Sequence, residues 1–484
     1  MAKKILAIFL TVVTVLGLWA GCGKTGGAGN GETVTLVVRT RNTGTNADFD
    51  NVMNYVNDLL EKKIGVRIDL QLYSNTEELN QSIDLDMAAQ EAIDLIWMNQ
   101  ASYQNYVNEA GLLPLNELLD EYAPNLKGSI REAYWNALDV DGEIYAVPNQ
   151  QIAISQRAMI IQKSYADEFG AVPASVSKVE DIEPFLNWLV EKHPEVYPVQ
   201  GSTLTIRWQD PGMRYEEIPG VAALNIEYND PTKVVLEARE WYYKPTGYKY
   251  EEMTKGWIRS DSGSGVDESA DIAANKYVIR FDTNRPGIEA EYQTKYGVEW
   301  IRVPVGEAYT TSTSLTSTLF GIPYTSKNPE KAVELLNVLH TDKEIFNALM
   351  YGIEGVHYEK VSENKVKVKE KSGWDGYTSA WAFGNSFLAY AYGDQPENLA
   401  EMTIALNESA KLSPIDGFQF ERAGFESVIA NVGAVKEEYW ESMCYENSAK
   451  LYDAYIKKMK DAGIDELMAE AQKQLDEYWA EKNK

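Results

Sequence analysis

The sequence predicts an α/β fold with doubly wound sheets, because strand-type and helix-type apolar patterns alternate between residues 33 and 98. The run Thr33–Val38 is apolar, as in a buried strand, and a helical repeat of apolar residues follows from Phe49 to Leu60. From Val66 to Leu72 the apolar period changes to two, before a second helical stripe from Leu79 to Met87 and a third strand, Ile93–Met98. Such spacing predicts parallel crossovers, in which ligands lie beyond the carboxyl ends of the strands.

A second lobe is predicted to follow a hairpin. Asp139–Pro148 (DVDGEIYAVP) combines an Asp-Gly turn with a strand, and its carboxylates lack the spacing of a calcium loop. Because Gln156–Gln162 begins another apolar strand, the chain is expected to enter the second lobe near Asn149–Ile154. Further predicted elements are strands at Tyr277–Phe281, Val298–Val303 and Thr316–Ile322, a helix at Lys327–Thr341, and a C-terminal helix with Asp465 as its N-cap.

The N-terminus has the pattern of a secretory signal. Lys3 and Lys4 precede an apolar run from Ile5 to Ala20, which is too short for a membrane span. The run ends in Ala20-Gly21-Cys22, which resembles the lipobox of bacterial lipoproteins, although Trp19 stands where Leu is usual. The resemblance implies cleavage before Cys22 and lipid attached to it; an ordinary signal peptide cut nearby is the alternative. The Gly-rich residues up to 32 are expected to form a flexible tether.

Composition restricts the function. The chain of 484 residues has 73 acidic and 45 basic residues, a net charge of −28, which argues against binding nucleic acid. Two cysteines and three histidines argue against a zinc site, and no metal or cofactor is expected. The 30 tyrosines and 12 tryptophans indicate a stacking surface for an uncharged ligand as well as a core.

Catalytic motifs are missing from the sequence. It contains no G-x-S-x-G, H-E-x-x-H, P-loop or G-x-G-x-x-G pattern. Paired carboxylates could serve a glycosidase, but 73 acidic residues make chance pairs certain. The protein is therefore not expected to be an enzyme.

Several stretches, in order, resemble the extracellular solute-binding proteins of ABC importers, in particular the family that includes maltose-binding protein. Ile93–Leu118 is similar to the family's third strand and following helix, and Asp141–Pro148 to its hairpin into the hinge. Four further stretches resemble the large lipoprotein members of oligosaccharide importers: Ser326–Tyr358, Gly417–Phe420, Asn431–Trp440 and Ala462–Trp479.

The resemblance implies a two-lobed, periplasmic-binding-protein-like fold whose cleft closes on an oligosaccharide. It also implies delivery to an ABC permease in the membrane, and a lipid anchor at Cys22 on the extracellular face of the bacterial cell membrane. A monomer is expected. The expected partition is 1–21 signal peptide, 22–32 tether, 33–150 and 323–371 N-terminal lobe, and 151–322 and 372–484 C-terminal lobe, including a C-terminal helical segment.

Candidate ligand-binding residues follow from strand ends, from the hinge and from the aromatic stretch Ser372–Phe387 (SGWDGYTSAWAFGNSF). Flat aromatic rings cover the C–H faces of sugars, and amide or charged side chains bond their hydroxyls. The candidates are Arg39, Arg41 and Asn42 after the first strand, Trp97, Asn99 and Tyr103 after the third, Gln150 at the hinge, and Trp374, Asp375, Trp381 and Asn385 in the aromatic stretch.

Two other classes of function remain open at this point. A surface hydrolase or lyase acting on carbohydrate would need two carboxylates that converge in the cleft, one with a raised pKa. An adhesin or sensor that binds a polymer without transport would need an open groove. The sugar itself is not identified, and a peptide or a charged uronate, which Arg39 and Arg41 would suit, is also open.

Overall fold

The computed structural model describes residues 33–140, 142–200, 215–218, 220–221, 223–228, 230–236, 248–262, 264, 266–446 and 448–482. The predicted signal peptide, Cys22 and the tether lie outside the described residues, as does Asp141 of the predicted turn. The strands are β1 Val34–Arg41, β2 Val66–Tyr73, β3 Leu95–Met98, β4 Asp139–Val140, β5 Glu143–Ile144, β6 Ala146–Pro148, β7 Ser155–Gln162, β8 Tyr197–Val199, β9 Tyr215–Glu217, β10 Leu224–Glu227, β11 Asp230–Leu236, β12 Tyr277–Thr283, β13 Trp300–Thr310, β14 Leu319–Gly321, β15 Tyr358–Lys360, β16 Lys365–Val368, β17 Ala391–Tyr392 and β18 Lys411–Leu412.

Helices surround these strands. The α-helices are Phe49–Ile64, Thr76–Ala88, Gln100–Asn108, Asn116–Tyr122, Pro124–Ser129, Glu132–Asn136, Lys163–Phe169, Glu183–Lys192, Tyr248–Thr254, Ser269–Ala273, Ile288–Tyr296, Ser312–Leu315, Pro329–Thr341, Lys343–Tyr351, Leu399–Ser409, Glu426–Tyr445, Ala449–Asp461 and Ile464–Lys482. Short 3-10 helices span Val179–Asp181, Gly376–Ala382 and Ser386–Leu388.

The first lobe is built on a five-stranded sheet in the order β2-β1-β3-β14-β6. The pairs β1/β2 and β1/β3 are parallel, as the alternating pattern predicted, whereas β14 runs antiparallel to both β3 and β6. Parallel neighbours present their carboxyl ends at one edge of a sheet, so the segments that follow β1 and β3 lie along the same edge.

The second lobe has a mixed sheet in the order β18-β13-β7-β12-β8, in which β7 is antiparallel to β12 and β13. The two-lobed α/β fold predicted from the sequence is confirmed. A third core joins the sheet β11-β10-β9 to the helices that span 426–482, and we call this unit the C-terminal module. Within it Asp465 lies in the first turn of helix Ile464–Lys482 rather than before it.

Two segments belong to a different lobe from the one expected. The sequence-based partition placed 315–322 and 372–392 in the second lobe, but their buried side chains join the core of the first lobe. The physical reason is pairing and packing: β14 hydrogen-bonds to β3, and the indole Nε1 of Trp374 donates to Leu349 O in helix Lys343–Tyr351. The aromatic stretch Ser372–Phe387 therefore packs on the first lobe.

Two features are absent from the described ranges. No helix within them has the length and apolar character needed to cross a bilayer. No group of three or more His, Cys, Asp or Glu side chains among them is placed to hold a metal ion.

Candidate ligand-binding cleft

The lobes are joined by crossing segments that hydrogen-bond to one another. One segment links β6 to β7 through Gln151 and Ala153, and another links β13 to β14 through Ser314. Ser314 Oγ donates to Ala153 O at 2.8 Å. Asn407 of helix Leu399–Ser409 accepts from Ala153 N–H at 2.9 Å and donates to Gln151 O at 2.8 Å. These contacts define a hinge.

A cleft lies between the lobes beside this hinge. It consists of a cavity of about 460 Å³ and an adjoining cavity of about 490 Å³ that shares Asp282, Arg285, Glu291, Tyr377, Thr378 and Tyr392 with it. The tyrosines belong to the first lobe. Asp282 lies in the last residues of β12, Arg285 follows that strand, and Glu291 lies in helix Ile288–Tyr296 of the second lobe. The cleft therefore has an aromatic wall and a charged wall that face each other.

The charged wall is an ion-paired triad. The guanidinium of Arg285 donates to Asp282 Oδ1 at 3.0 Å and to Glu291 Oε2 at 2.6 Å, and Tyr292 donates its hydroxyl to Asp282 Oδ2 at 3.2 Å. Burial lowers the pKa of Arg285, but the neighbouring Glu291 and Asp282 outweigh burial, so the pKa lies above its ordinary value. The triad offers carboxylate acceptors and guanidinium donors, with one guanidinium shared between two carboxylates.

The aromatic wall is a layer of packed rings. Tyr377 stacks on Tyr351 with centroids 5.2 Å apart and planes at 2°, and it contacts Tyr392 at 4.7 Å. Burial, with a smaller contribution from Asp375, raises the pKa of Tyr377 to about 12. Burial likewise raises the pKa of Tyr392, so the hydroxyls of Tyr377 and Tyr392 remain protonated at neutral pH beside apolar ring faces, an arrangement that suits a sugar.

Trp381 and Asp375 are the two sequence-predicted candidates that line this cleft. Trp97 is buried below Trp381, and Arg41 lies over the Trp97 ring at 5.8 Å. Arg41 also donates to Ser74 O at 2.7 Å, while its Nε and the Nε1 of Trp97 have no hydrogen-bond partner among the described residues. Neither Arg41 nor Trp97 lines the cleft; Trp97 packs against the ring of Trp381 from within the first lobe.

Several candidates instead hold the fold together. Arg39 is engaged by Gln71, Ser82 O and Asp86, which turns it away from the cleft. Asn99 accepts from Ser102 N–H and caps helix Gln100–Asn108. The remaining members of this group are Asn42, bonded to Ser379 and Asn46; Tyr103, whose hydroxyl donates to Leu138 O; and Trp374, whose indole is buried in the core.

Gln150 and Asn385 meet at the hinge. Gln150 N–H donates to Gly384 O at 2.8 Å, and Ser386 N–H donates to Gln150 O at 2.9 Å. The side chains of both residues converge on buried His340, Gln150 Nε2 at 3.3 Å from its Nδ1 and Asn385 Nδ2 at 3.2 Å from its carbonyl. Their polar groups therefore couple the aromatic stretch to the crossing segment.

The charged wall was not predicted from the sequence. Asp282 and Arg285 lie in the turn DTNRPG, at the carboxyl end of the strand predicted at Tyr277–Phe281. The strand-end rule applied to the first lobe would have selected them in the second. Glu291 lies six residues beyond Arg285 on a helix with no distinctive pattern, so only the fold brings it to the cleft.

Two α/β lobes, crossing segments and a cleft with opposed aromatic and polar walls define the solute-binding protein fold. A curated relative, "Carbohydrate ABC transporter substrate-binding protein" of Streptococcus pneumoniae serotype 4 (strain ATCC BAA-334 / TIGR4), is 25% identical over 498 residues, covering 98% of each chain. Residues 414–480 match a family described as a domain of unknown function, DUF3502.

Solved structures agree with this fold. The N-glycan transport solute-binding protein NgtS of Streptococcus pneumoniae superposes with a TM-score of 0.79 at 22% identity, covering 93% of this chain and 99% of that one. The same protein in complex with Man5GlcNAc gives a TM-score of 0.74 at 22% identity, with the same coverage. The resemblance to extracellular solute-binding proteins that the motifs indicated is confirmed.

Proposed function

We propose that this protein is the substrate-binding component of an ABC importer and captures an oligosaccharide in the interlobe cleft. The observation that carries the proposal is the cleft itself, where the stacked tyrosines and Trp381 face the triad around Arg285. Ring faces bury sugar C–H surfaces, and the opposite wall bonds hydroxyls. The curated relative's name and the glycan complexes of NgtS support the same conclusion.

Capture depends on the relative position of the lobes. The two walls belong to different lobes, so a ligand that touches both stabilises the closed arrangement over an open one. The permease then recognises the closed, loaded protein. Of the candidate residues, Trp381 and Asp375, together with Arg285 and Glu291, are proposed to contact the sugar.

The proposed role is binding without catalysis. Asp282 and Glu291 converge in the cleft, but the guanidinium of Arg285 donates a hydrogen bond to each of them, so both are engaged as acceptors. A glycoside hydrolase needs one protonated carboxyl group to act as a general acid. The protein is further proposed to act as a monomer on the outer face of the cell membrane, anchored by lipid on Cys22.

A thermal-shift panel of oligosaccharides tests the function. A ligand that binds only the native protein raises its melting temperature, by an amount that grows with the logarithm of the ratio of its concentration to its Kd. We expect at least one oligosaccharide series to raise the melting temperature and to be recovered unchanged. New reducing ends or unsaturated products, abolished by Glu291→Gln, would instead assign an enzyme; no shift with any oligosaccharide would contradict the proposal.

A further inference from the structure

A second cavity lies beside helix Gln100–Asn108, between the first lobe and the C-terminal module. It has a volume of about 360 Å³, adjoins a smaller one of about 100 Å³, and is lined by Gln100 and Gln104 of the first lobe and by Arg422 of the C-terminal module. We call the pair the distal cavity. Because helix Gln100–Asn108 follows β3 and the cleft-lining Thr43 follows β1, both spaces open along the same edge of the first-lobe sheet.

The walls of the distal cavity carry unpaired polar atoms. The buried Oε1 of Gln104 and Nε of Arg422 have no hydrogen-bond partner among the described residues. Arg422 Nη1 donates a long hydrogen bond of 3.4 Å to Asn105 Oδ1 across the lobe boundary. An amide acceptor and a guanidinium donor that face one space are complementary to the hydroxyls of a sugar.

The C-terminal module holds Arg422 rigidly. The neighbouring Glu421 donates its N–H to Gln474 Oε1 at 2.8 Å and accepts from Gln474 Nε2 at 3.1 Å. Phe420 is buried in the core of the module beside Phe425. The segment 420–422 is therefore fixed to helix Ile464–Lys482, and its position depends on how the module sits against the first lobe.

The turn that contains Gly220 approaches the first lobe closely and forms a third side of the distal cavity. Gly220, in the turn between β9 and β10, has φ +70°, and a Cβ there would lie 2.3 Å from Gln104 Oε1. Any side chain at residue 220 would displace the Gln104 amide, so glycine allows the module to reach the first lobe. Three separate parts of the chain thus meet around the distal cavity.

We infer that the distal cavity is an extension subsite, in which the C-terminal module binds the far end of a long oligosaccharide whose near end lies in the cleft. The inference rests on the proposed function. It gives the segment matching DUF3502 a role in ligand binding, because Arg422 lies within residues 414–480. The expected ligand is then an oligosaccharide that is longer than one the cleft alone accommodates.

Binding of short and long members of one sugar series tests the inference. The probes are Man1GlcNAc and Man5GlcNAc, maltose and maltohexaose, and the di- and hexasaccharides of alginate, each titrated calorimetrically against the full-length mature chain. Wild-type protein is expected to bind the long member of its preferred series more tightly than the short one. Arg422→Ala is expected to weaken the long member by about tenfold and the short one by less than about twofold, since only the long chain reaches the guanidinium.

Gln104→Ala provides an independent variant on the opposite lobe and is expected to show the same dependence on length. Lys473→Ala is the matched control, because it removes one positive charge from an exposed position of the same module. Three results would overturn the inference and leave the proposed function intact. They are equal losses of affinity for short and long sugars, no loss of affinity in either variant, and equal wild-type affinity for both lengths. Failure of every series to bind would count against the proposed function itself.

Discussion

The indole rings of Trp97 and Trp381 meet edge to face, with centroids 5.8 Å apart and planes at 79°. Both residues belong to the first lobe, since Trp381 packs against the core that contains Trp97. The expectation that Trp381 comes from the opposite lobe and faces Trp97 across the cleft therefore differs from the structure. Trp97 supports the ring of Trp381 from below, and Trp381 presents its exposed part to the cleft.

Replacing Trp381 by Ala is expected to weaken oligosaccharide binding by about 5- to 150-fold, or about 1–3 kcal/mol, the scale of a lost aromatic contact in a desolvated site. Trp374→Ala is the matched control, because Trp374 is buried and hydrogen-bonded to Leu349 O. That control is expected to lose about 3–5 kcal/mol of stability and to keep its affinity when folded. Calorimetric titration and melting temperature measure the two effects; normal binding by Trp381→Ala would remove this residue from the site.

The elements that could be predicted from the sequence are those with strong local patterns. The parallel strands β1, β2 and β3 have continuous or alternating apolar residues, and helix Pro329–Thr341 begins within two residues of its predicted start. Lobe membership of the aromatic stretch could not be predicted, because it depends on hydrogen bonds between distant residues, such as that from Thr40 to Ala382 O. The pattern of apolar and polar residues along the sequence does not indicate contacts between residues this far apart.

The site was predicted less completely, for a related reason. A residue at a strand end either points into the cleft or bonds to a neighbouring element, and sequence does not distinguish these. Arg39 is held by Asp86 on helix Thr76–Ala88, whereas Arg41, two residues later, has an Nε with no hydrogen-bond partner within the described part of the chain. Residues such as Glu291, which reach the cleft from a helix, have no local signature at all.

Stability is expected to fall in acid because of His340. Complete burial lowers the pKa of His340 to about 3, whereas an unfolded histidine titrates near pH 6.5. Between these values only the unfolded chain takes up the proton, so the contribution is constant above pH 6.5 and is lost as the pH falls towards 3. At pH 5 the loss is about 2 kcal/mol. Urea unfolding at pH 7 and 5 should show a smaller acid loss in His340→Gln; equal losses would contradict the prediction.

The proposed anchor predicts how the protein partitions. In a bacterial host, Cys22→Ser removes the thiol that would carry lipid, so the protein should be released to the medium or remain unprocessed. Multiple acyl chains hold a protein on a membrane far more firmly than one, so wild-type protein should enter the detergent phase. Partitioning in Triton X-114 measures this; detergent partitioning unchanged by Cys22→Ser would contradict a lipoprotein.

The charges of the cleft predict discrimination against acidic sugars. Three acidic residues line the cleft, Asp282, Glu291 and Asp375, but only two basic ones, Arg285 and Lys295. The lining therefore has a net negative charge.

The arginines that suited a uronate are otherwise engaged: Arg39 pairs with Asp86, and Arg41 bonds to Ser74 O and Thr76. A neutral oligosaccharide should therefore bind more tightly than a uronate chain of equal length.

Asp375→Asn is expected to narrow the difference in affinity between the neutral and the uronate chain by about fivefold, or about 1 kcal/mol, the size of one interaction between two charges about 4 Å apart in water. The same substitution at exposed Asp461, outside the cleft, is the control and should leave the ratio of affinities unchanged. Titrations of both variants at low and high salt measure the effect, because screening reduces it at high ionic strength. Tighter binding of the uronate by wild-type protein would show that the net negative charge of the cleft does not set its preference.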